Sequence, residues 1–199
     1  MGLYRGLHSI VLCLALLAGH AAWAQNAPPQ SVGELVLTDS KRDLETQISA
    51  ILQQRFNLKP QLQEVNNDPE DLIVLISIAP GEDQTVPRIN AQVDTVVRTR
   101  INNAAKTPLV QVISIASTAD VRLKEDKELE VLRLLNTINA QALSAHVYAA
   151  NRRLVAMQNL TLEANAPLSA AQFSTSFVNV LRVWPSLLKA MRERELLDE

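Results

Sequence analysis

Apolar residues recur every three or four positions in four stretches of the chain, which is the spacing of one face of an α-helix. These stretches predict helices between Ser40 and Asn57, from Pro87 to Ala104, from Lys124 to Leu143, and from Ser169 to Met191. The apolar stripe of the second predicted helix comprises Ile89, Val93, Val96, Val97 and Ile101. Proline is tolerated in the first turn of a helix, so Pro87 is compatible with this start.

The helix that begins after Ser169 is the most strongly patterned of the four. Ser169 and Gln172 have the spacing of a capping box, in which the serine accepts from a free helix N–H and the glutamine reaches back. Pro185 lies inside the helix and predicts a kink. The apolar face consists of Phe173, Phe177, Val180, Leu181, Trp184, Leu188 and Met191. We therefore expect this face to lie in the core.

Between the helices lie short apolar runs rich in β-branched residues, the composition of β-strands. They are Leu58–Val65, Leu72–Ile78, Leu109–Ala116, Ala145–Ala150 and Leu154–Leu162, with a weak further strand at Glu34–Leu37. The order is α-β-β-α-β over residues 34–118 and α-β-β-α over residues 119–199, which predicts an α+β fold. Whether the two halves share one sheet is open, and the short link Ser117–Asp120 favours one packed unit.

The first 24 residues have the three parts of a secretory signal peptide. Arg5 supplies the positive charge, Ile10–Ala18 the apolar segment, and Ala22–Ala24 the small residues of a cleavage site. A membrane anchor needs roughly 20 apolar residues, and this run is broken at Gly19. We therefore expect cleavage after Ala24, a flexible leader over residues 25–33, and a periplasmic or secreted protein without stable membrane insertion.

Cleavage leaves a chain with few groups for catalysis. His146 is then the only histidine, and no cysteine remains. Disulfides, cysteine nucleophiles and cysteine metal sites are thereby excluded, and no metal or cofactor is expected. Arg5 is the only charge removed, so 18 basic and 21 acidic residues leave a net charge of −3. This charge gives no electrostatic basis for binding nucleic acid.

The second half of the sequence resembles a known family. Leu134–Asn139 (LLNTIN), a hairpin with a polar turn, and the capped helix that contains Trp184–Leu187 (WPSL) are similar to the YbjN family of bacterial proteins, labelled as candidate sensory-transduction regulators. The resemblance covers roughly residues 124–192. It implies the fold of class I type III secretion chaperones, with helices packed on one face of an antiparallel sheet. The predicted helix Pro87–Ala104 departs from the family pattern.

Five residues are candidates for partner binding or for a structural role. Asn136 and Asn139 carry over from the family motif and are neighbours on one helix face, where their amides could bond backbone at the helix end or backbone of the adjoining strand. His146 and Tyr148 alternate on a predicted strand, where an anion site is weighed against an ordinary half-exposed histidine. Trp184 belongs to the apolar face of the last helix.

These observations favour a protein that is not an enzyme and that binds a peptide or protein partner, in a chaperone-like or regulatory role. This hypothesis predicts an exposed apolar groove or a homodimer face. The alternative is a structural component of a cell-envelope or secretion assembly. A hydrolase based on paired carboxylates would require a pocket where such groups converge.

Overall fold

The computed structural model describes residues 33–35, 40–81, 86–101, 110–141, 145–163 and 167–198. The predicted signal peptide and residues 25–32 of the predicted leader lie outside them. The helices within these ranges are Lys41–Phe56 (α1), Glu128–Gln141 (α2) and Ala170–Glu193 (α3). The strands are Glu34–Leu35 (β1), Gln61–Val65 (β2), Asp68–Ile78 (β3), Val93–Ile101 (β4), Val110–Ala119 (β5), Arg122–Leu123 (β6), His146–Ala150 (β7), Arg153–Glu163 (β8), Leu168–Ser169 (β9) and Leu197–Asp198 (β10). None of these helices combines the length and apolar character needed to cross a membrane.

Six strands form one antiparallel sheet in the order β2-β3-β4-β5-β8-β7. The pairing of β5 with β8 joins the two halves of the chain, so their strands share a single sheet. α1 packs against β3 and β4, α3 against β5 and β8, and α2 beside β7. All three helices lie on the same side of the sheet. The predicted α+β fold is confirmed.

The predicted helix Pro87–Ala104 is wrong, because most of its described part is strand β4. Every second side chain of this strand is buried under the helices, starting with Val93 and Thr95 and continuing with Val97 and Thr99. Threonine counts as polar in a hydrophobicity pattern. Thr95 and Thr99 therefore hide the alternation of apolar and polar residues that is typical of a strand. Among the described residues of the first half, α1 is therefore followed by the four consecutive strands β2 to β5.

The predicted caps and turns are present. Ser40 caps α1 through its hydroxyl, which accepts from the backbone N–H of Asp43, and Asn57 ends that helix in the left-handed conformation. The capping box at Ser169 and Gln172 is complete, and α3 continues through Pro185. Positive φ angles mark both hairpin turns, at Asn66–Asn67 and Asn151–Arg152.

The core lies between the sheet and α3. Trp184 is completely buried, and its indole N–H donates to the Ser117 hydroxyl on β5 at 2.8 Å. Phe177 on α3 contacts Phe56 at the end of α1, with ring centroids 5.3 Å apart. One helix from the second half therefore makes contact with both a strand and a helix from the first half.

Two short strand pairs close the ends of the structure. β1 pairs with β9 and places the start of the described chain against the N-terminus of α3. β10 pairs with β6 and returns the C-terminus to the start of α2. Arg152 stabilises this second closure, because its guanidinium contacts Glu125 at 2.8 Å and Asp198 at 2.9 Å and donates to the Leu123 carbonyl.

Glu45 is a buried carboxyl in the apolar layer between α1 and the sheet. It is 0% exposed, and its Oε1 accepts from the backbone N–H and the hydroxyl of Thr99 at 3.3 and 2.9 Å. Its Oε2 has no hydrogen-bond partner among the described residues. Burial raises the pKa of Glu45, with a smaller contribution from Asp71, against the lowering effects of Thr99 and Lys41.

Glu45→Gln is expected to change how stability depends on pH. Because the folded-state pKa of Glu45 lies above its ordinary value of 4.5, the folded state binds the proton more tightly than the unfolded state. The wild-type free energy of unfolding therefore falls as pH rises from 4.5 through the folded-state pKa. The variant lacks this contribution, so its stability relative to wild type increases over the same window. Urea denaturation followed by Trp184 fluorescence between pH 4 and 8 measures the difference. A constant difference would contradict the prediction.

Candidate functional site

Asn139 on α2 bonds both backbone groups of one residue on edge strand β7. Its amide nitrogen donates to the Val147 carbonyl at 2.7 Å, and the Val147 N–H donates to its Oδ1 at 2.8 Å. Residues of an antiparallel strand alternate between pairing with the neighbouring strand and pointing away from it. The amide therefore occupies the position that a residue of a seventh strand would take. The prediction that this side chain bonds the adjoining strand agrees with the geometry.

The other predicted residues are spread over different surfaces. Asn136 is exposed on the outer face of α2, and Trp184 is buried in the core. His146 and Tyr148 lie on β7 with exposed side chains, Tyr148 at 41%. Their cross-strand partners are Met157 and Val155, which places all four on the side of the sheet opposite the helices. The structure therefore brings only His146 and Tyr148 together as surface residues.

The side of the sheet opposite the helices, which we term the open face, carries an apolar row. Directly paired residues on four adjacent strands form it, and all are partly exposed: Leu75, Val96, Ala116 and Met157. Ile73, Val112 and Val155 extend the apolar surface on either side of the row. No described helix or strand packs over this face. The uncovered face of a sheet is ordinarily polar, so a continuous apolar row on this face is unusual.

The apolar row has a signal in the sequence. Leu72–Ile78 is continuously apolar apart from Ser77, rather than alternating. In a sheet covered on one side only, such a run places apolar side chains on the uncovered side as well. Val74 and Ile76 meet the helices, whereas Ile73 and Leu75 face outward.

Charged residues lie above and below the apolar row on β4. Asp94 accepts from the Ser77 hydroxyl and, at 3.4 Å, from the Gln92 side chain. Arg98 contacts Asp71 at 3.4 Å and keeps 41% of its side chain exposed. Because Val96 lies midway between Asp94 and Arg98, the open face carries opposite charges at equal distances from the row.

Two grooves lie on other parts of the surface. One, of about 360 Å³, runs between the start of α2 and the β7–β8 hairpin, and its walls include the exposed Leu132. The other, of about 450 Å³, separates α2 from α3 and is lined by apolar residues including Ile138 and Val183. Arg152 borders the first groove and forms ion pairs with Glu125 and Asp198.

The described residues contain no group of three or more histidine, cysteine, aspartate or glutamate side chains arranged to hold a metal ion.

Comparison with known proteins shows a similarity of fold. No family model matches the sequence, and no curated protein matches it. Among solved structures, the chain is similar to YbjN from E. coli, described as a candidate transcription regulator. The likeness covers 77% of this chain and 94% of that one, with 14% sequence identity and a TM-score of 0.46. It agrees with the resemblance predicted for residues 124–192 and concerns the fold alone.

Asn139→Ala is expected to destabilise the edge of the sheet. The substitution removes two hydrogen bonds and leaves the outward N–H and C=O of Val147 to solvent, so the free energy of unfolding should fall by about 1–3 kcal/mol. An unprotected edge strand also promotes intermolecular strand pairing. Chemical denaturation and turbidity on warming measure the two effects.

Asn136→Ala is the matched control, since Asn136 lies on the same helix with an exposed side chain. Its substitution should change the free energy of unfolding by less than about 0.5 kcal/mol. Equal losses in the two variants would show that the Asn139 bonds contribute nothing beyond helix propensity.

Proposed function

We propose that this protein is exported, is not an enzyme, and binds a protein partner through the open face of its sheet. The observation that carries the proposal is the apolar row Leu75, Val96, Ala116 and Met157 on a face without a described covering element. A row of this kind loses water contact only when another surface packs over it, and that loss is favourable at about 25 cal/mol per Å² of apolar area.

The extent of the row favours a protein over a small molecule as the partner. Small-molecule sites are concave and enclose most of their ligand, whereas the open face is one side of a sheet. Protein interfaces combine an apolar centre with a polar rim. Here the centre is the apolar row, and exposed polar residues at the sheet edges, such as Gln61 on β2 and His146 on β7, supply the rim.

The amino-acid inventory supports a role without catalysis. After cleavage the chain retains one histidine and no cysteine, so acid–base chemistry by histidine would depend on His146 alone. His146 lies on an exposed edge strand. Burial raises the pKa of Glu45, but this carboxyl lies in the core, where a substrate cannot reach it. A net charge of −3 in the mature chain favours a protein partner over nucleic acid.

A photo-reactive benzoylphenylalanine at Met157 tests the binding face. Met157 lies in the apolar row, so irradiation of cells that export the protein should give a covalent adduct of defined mass. The same group at Lys189 is the control, because Lys189 is exposed on the outer side of α3, away from the open face. An adduct formed at Met157 and not at Lys189 supports the proposal. No adduct at Met157, or equal adducts at both positions, would refute it.

Export predicts a specific change of mass. When the complete chain is expressed in a Gram-negative bacterium, the protein recovered from the periplasm or medium should begin at Gln25, because cleavage follows Ala24. Intact-mass and peptide mass spectrometry identify the new terminus. Ala24→Asp should block cleavage, since the position before the cut requires a small neutral residue. Full-length wild-type protein confined to the cytosol would contradict export.

A further inference from the structure

We propose that the partner of the open face is a second copy of this chain, related by a two-fold axis that runs along the apolar row. This inference rests on the proposed function, because it names the occupant of the same face. In the resulting pair the two sheets stack with β4 against β4, and Asp94 of each protomer faces Arg98 of the other. The centre of the interface is formed by the two copies of the row Leu75, Val96, Ala116 and Met157.

The arrangement of charge on β4 is self-complementary. A two-fold axis through Val96, perpendicular to the strands, exchanges the position two residues before Val96 with the position two residues after it. Those positions are Asp94 and Arg98, which have opposite charges, so the rotation brings each acid opposite a base. An interface between identical subunits requires a patch that matches itself in this way.

The distances between stacked sheets allow this pairing. Sheets pack about 10 Å apart with their strands within about 30° of one another. An arginine side chain together with an aspartate can bridge such a gap and form a charge-assisted hydrogen bond. Arg98 is suited to this role, because its contact with Asp71 is long at 3.4 Å and 41% of its side chain is exposed. Asp71 also contacts Lys41, so it keeps a cation when Arg98 turns to the partner.

The open face is large enough for a stable pair. With strands about 4.8 Å apart and residues about 3.3 Å apart along each strand, the six strands present about 800 Å² on one side. A standard protein interface buries about 800 Å² per partner.

Charge reversal with rescue tests the arrangement. Wild-type mature protein should sediment as a dimer at micromolar concentration, and Asp94→Arg should raise the dimer dissociation constant at least about tenfold, because two arginines then face each other at each contact. Arg98→Asp should have the same effect through two facing aspartates. An equimolar mixture of the two variants should form heterodimers with affinity near that of wild type, since each acid again faces a base. The double variant Asp94→Arg/Arg98→Asp should also dimerise.

Control variants distinguish loss of the dimer interface from loss of folding and from a general change of net charge. Glu193→Arg makes the same change of sign on the helical side and should leave the dimer unchanged. In Arg98→Asp the new carboxylate lies beside Asp71 of the same chain and repels it. The double variant Asp71→Asn/Arg98→Asp removes this repulsion. Circular dichroism and Trp184 fluorescence confirm that each variant is folded.

The outcomes distinguish this inference from the proposed function. Dimers that dissociate on single reversal and recover in the mixture establish the pairing. A wild-type monomer at all concentrations, or a dimer insensitive to both reversals, overturns it. If the protein is monomeric and the Met157 probe captures a different protein, the proposed function stands and the second copy is excluded. If the probe captures nothing and the protein is monomeric, both fail.

Discussion

The packing of α3 against the sheet is the interaction on which the rest of this structure depends. Its apolar face covers β5 and β8, the two strands whose pairing joins the halves of the chain, and it also reaches Phe56 of α1. The bond from Trp184 to Ser117 fixes the helix in register over β5, because the indole N–H has to find an acceptor once the ring is buried. α3 and α1 lie together on one side of the sheet, and none of the described elements covers the other side.

The sequence predicts the helices of this fold better than its strand arrangement. α1, α2 and α3 follow from apolar spacing, and their caps from Ser40, Asn57 and Ser169. The error at Pro87–Ala104 arose because valine and isoleucine spacings fit a helical stripe while the buried threonines Thr95 and Thr99 look polar. Thr99, for example, bonds Glu45 of α1, which is far away in the sequence, so no local pattern contains this environment.

The candidate site shows the same division between local and long-range information. The sequence left two partners open for the Asn139 amide, backbone at the helix end and backbone of the adjoining strand, and the structure shows the second. The apolar row could be predicted only in part. The run Leu72–Ile78 indicates apolar side chains on both faces of β3, but the row itself is created by the register of four strands, and a slip of one residue would turn Leu75 or Val96 toward the helices. The edge strand β7 and the open face differ in how they are protected. Asn139 bonds the outward backbone groups of Val147 on β7, whereas no described element covers the open face.

The pairing of β5 with β8 has a consequence for how the chain folds. Val110 pairs with Glu163 and Thr118 with Val155, and the whole of α2 and β7 lies between these partners in the sequence. Closing so long a loop costs entropy before any contact compensates it, so this step should limit the folding rate. Until β8 arrives, β5 is an edge strand of a four-stranded sheet with apolar residues on both faces. A chain interrupted before β8 therefore exposes an unpaired strand edge on which other chains can aggregate. The first half is protected from this pairing only after β8 has been synthesised.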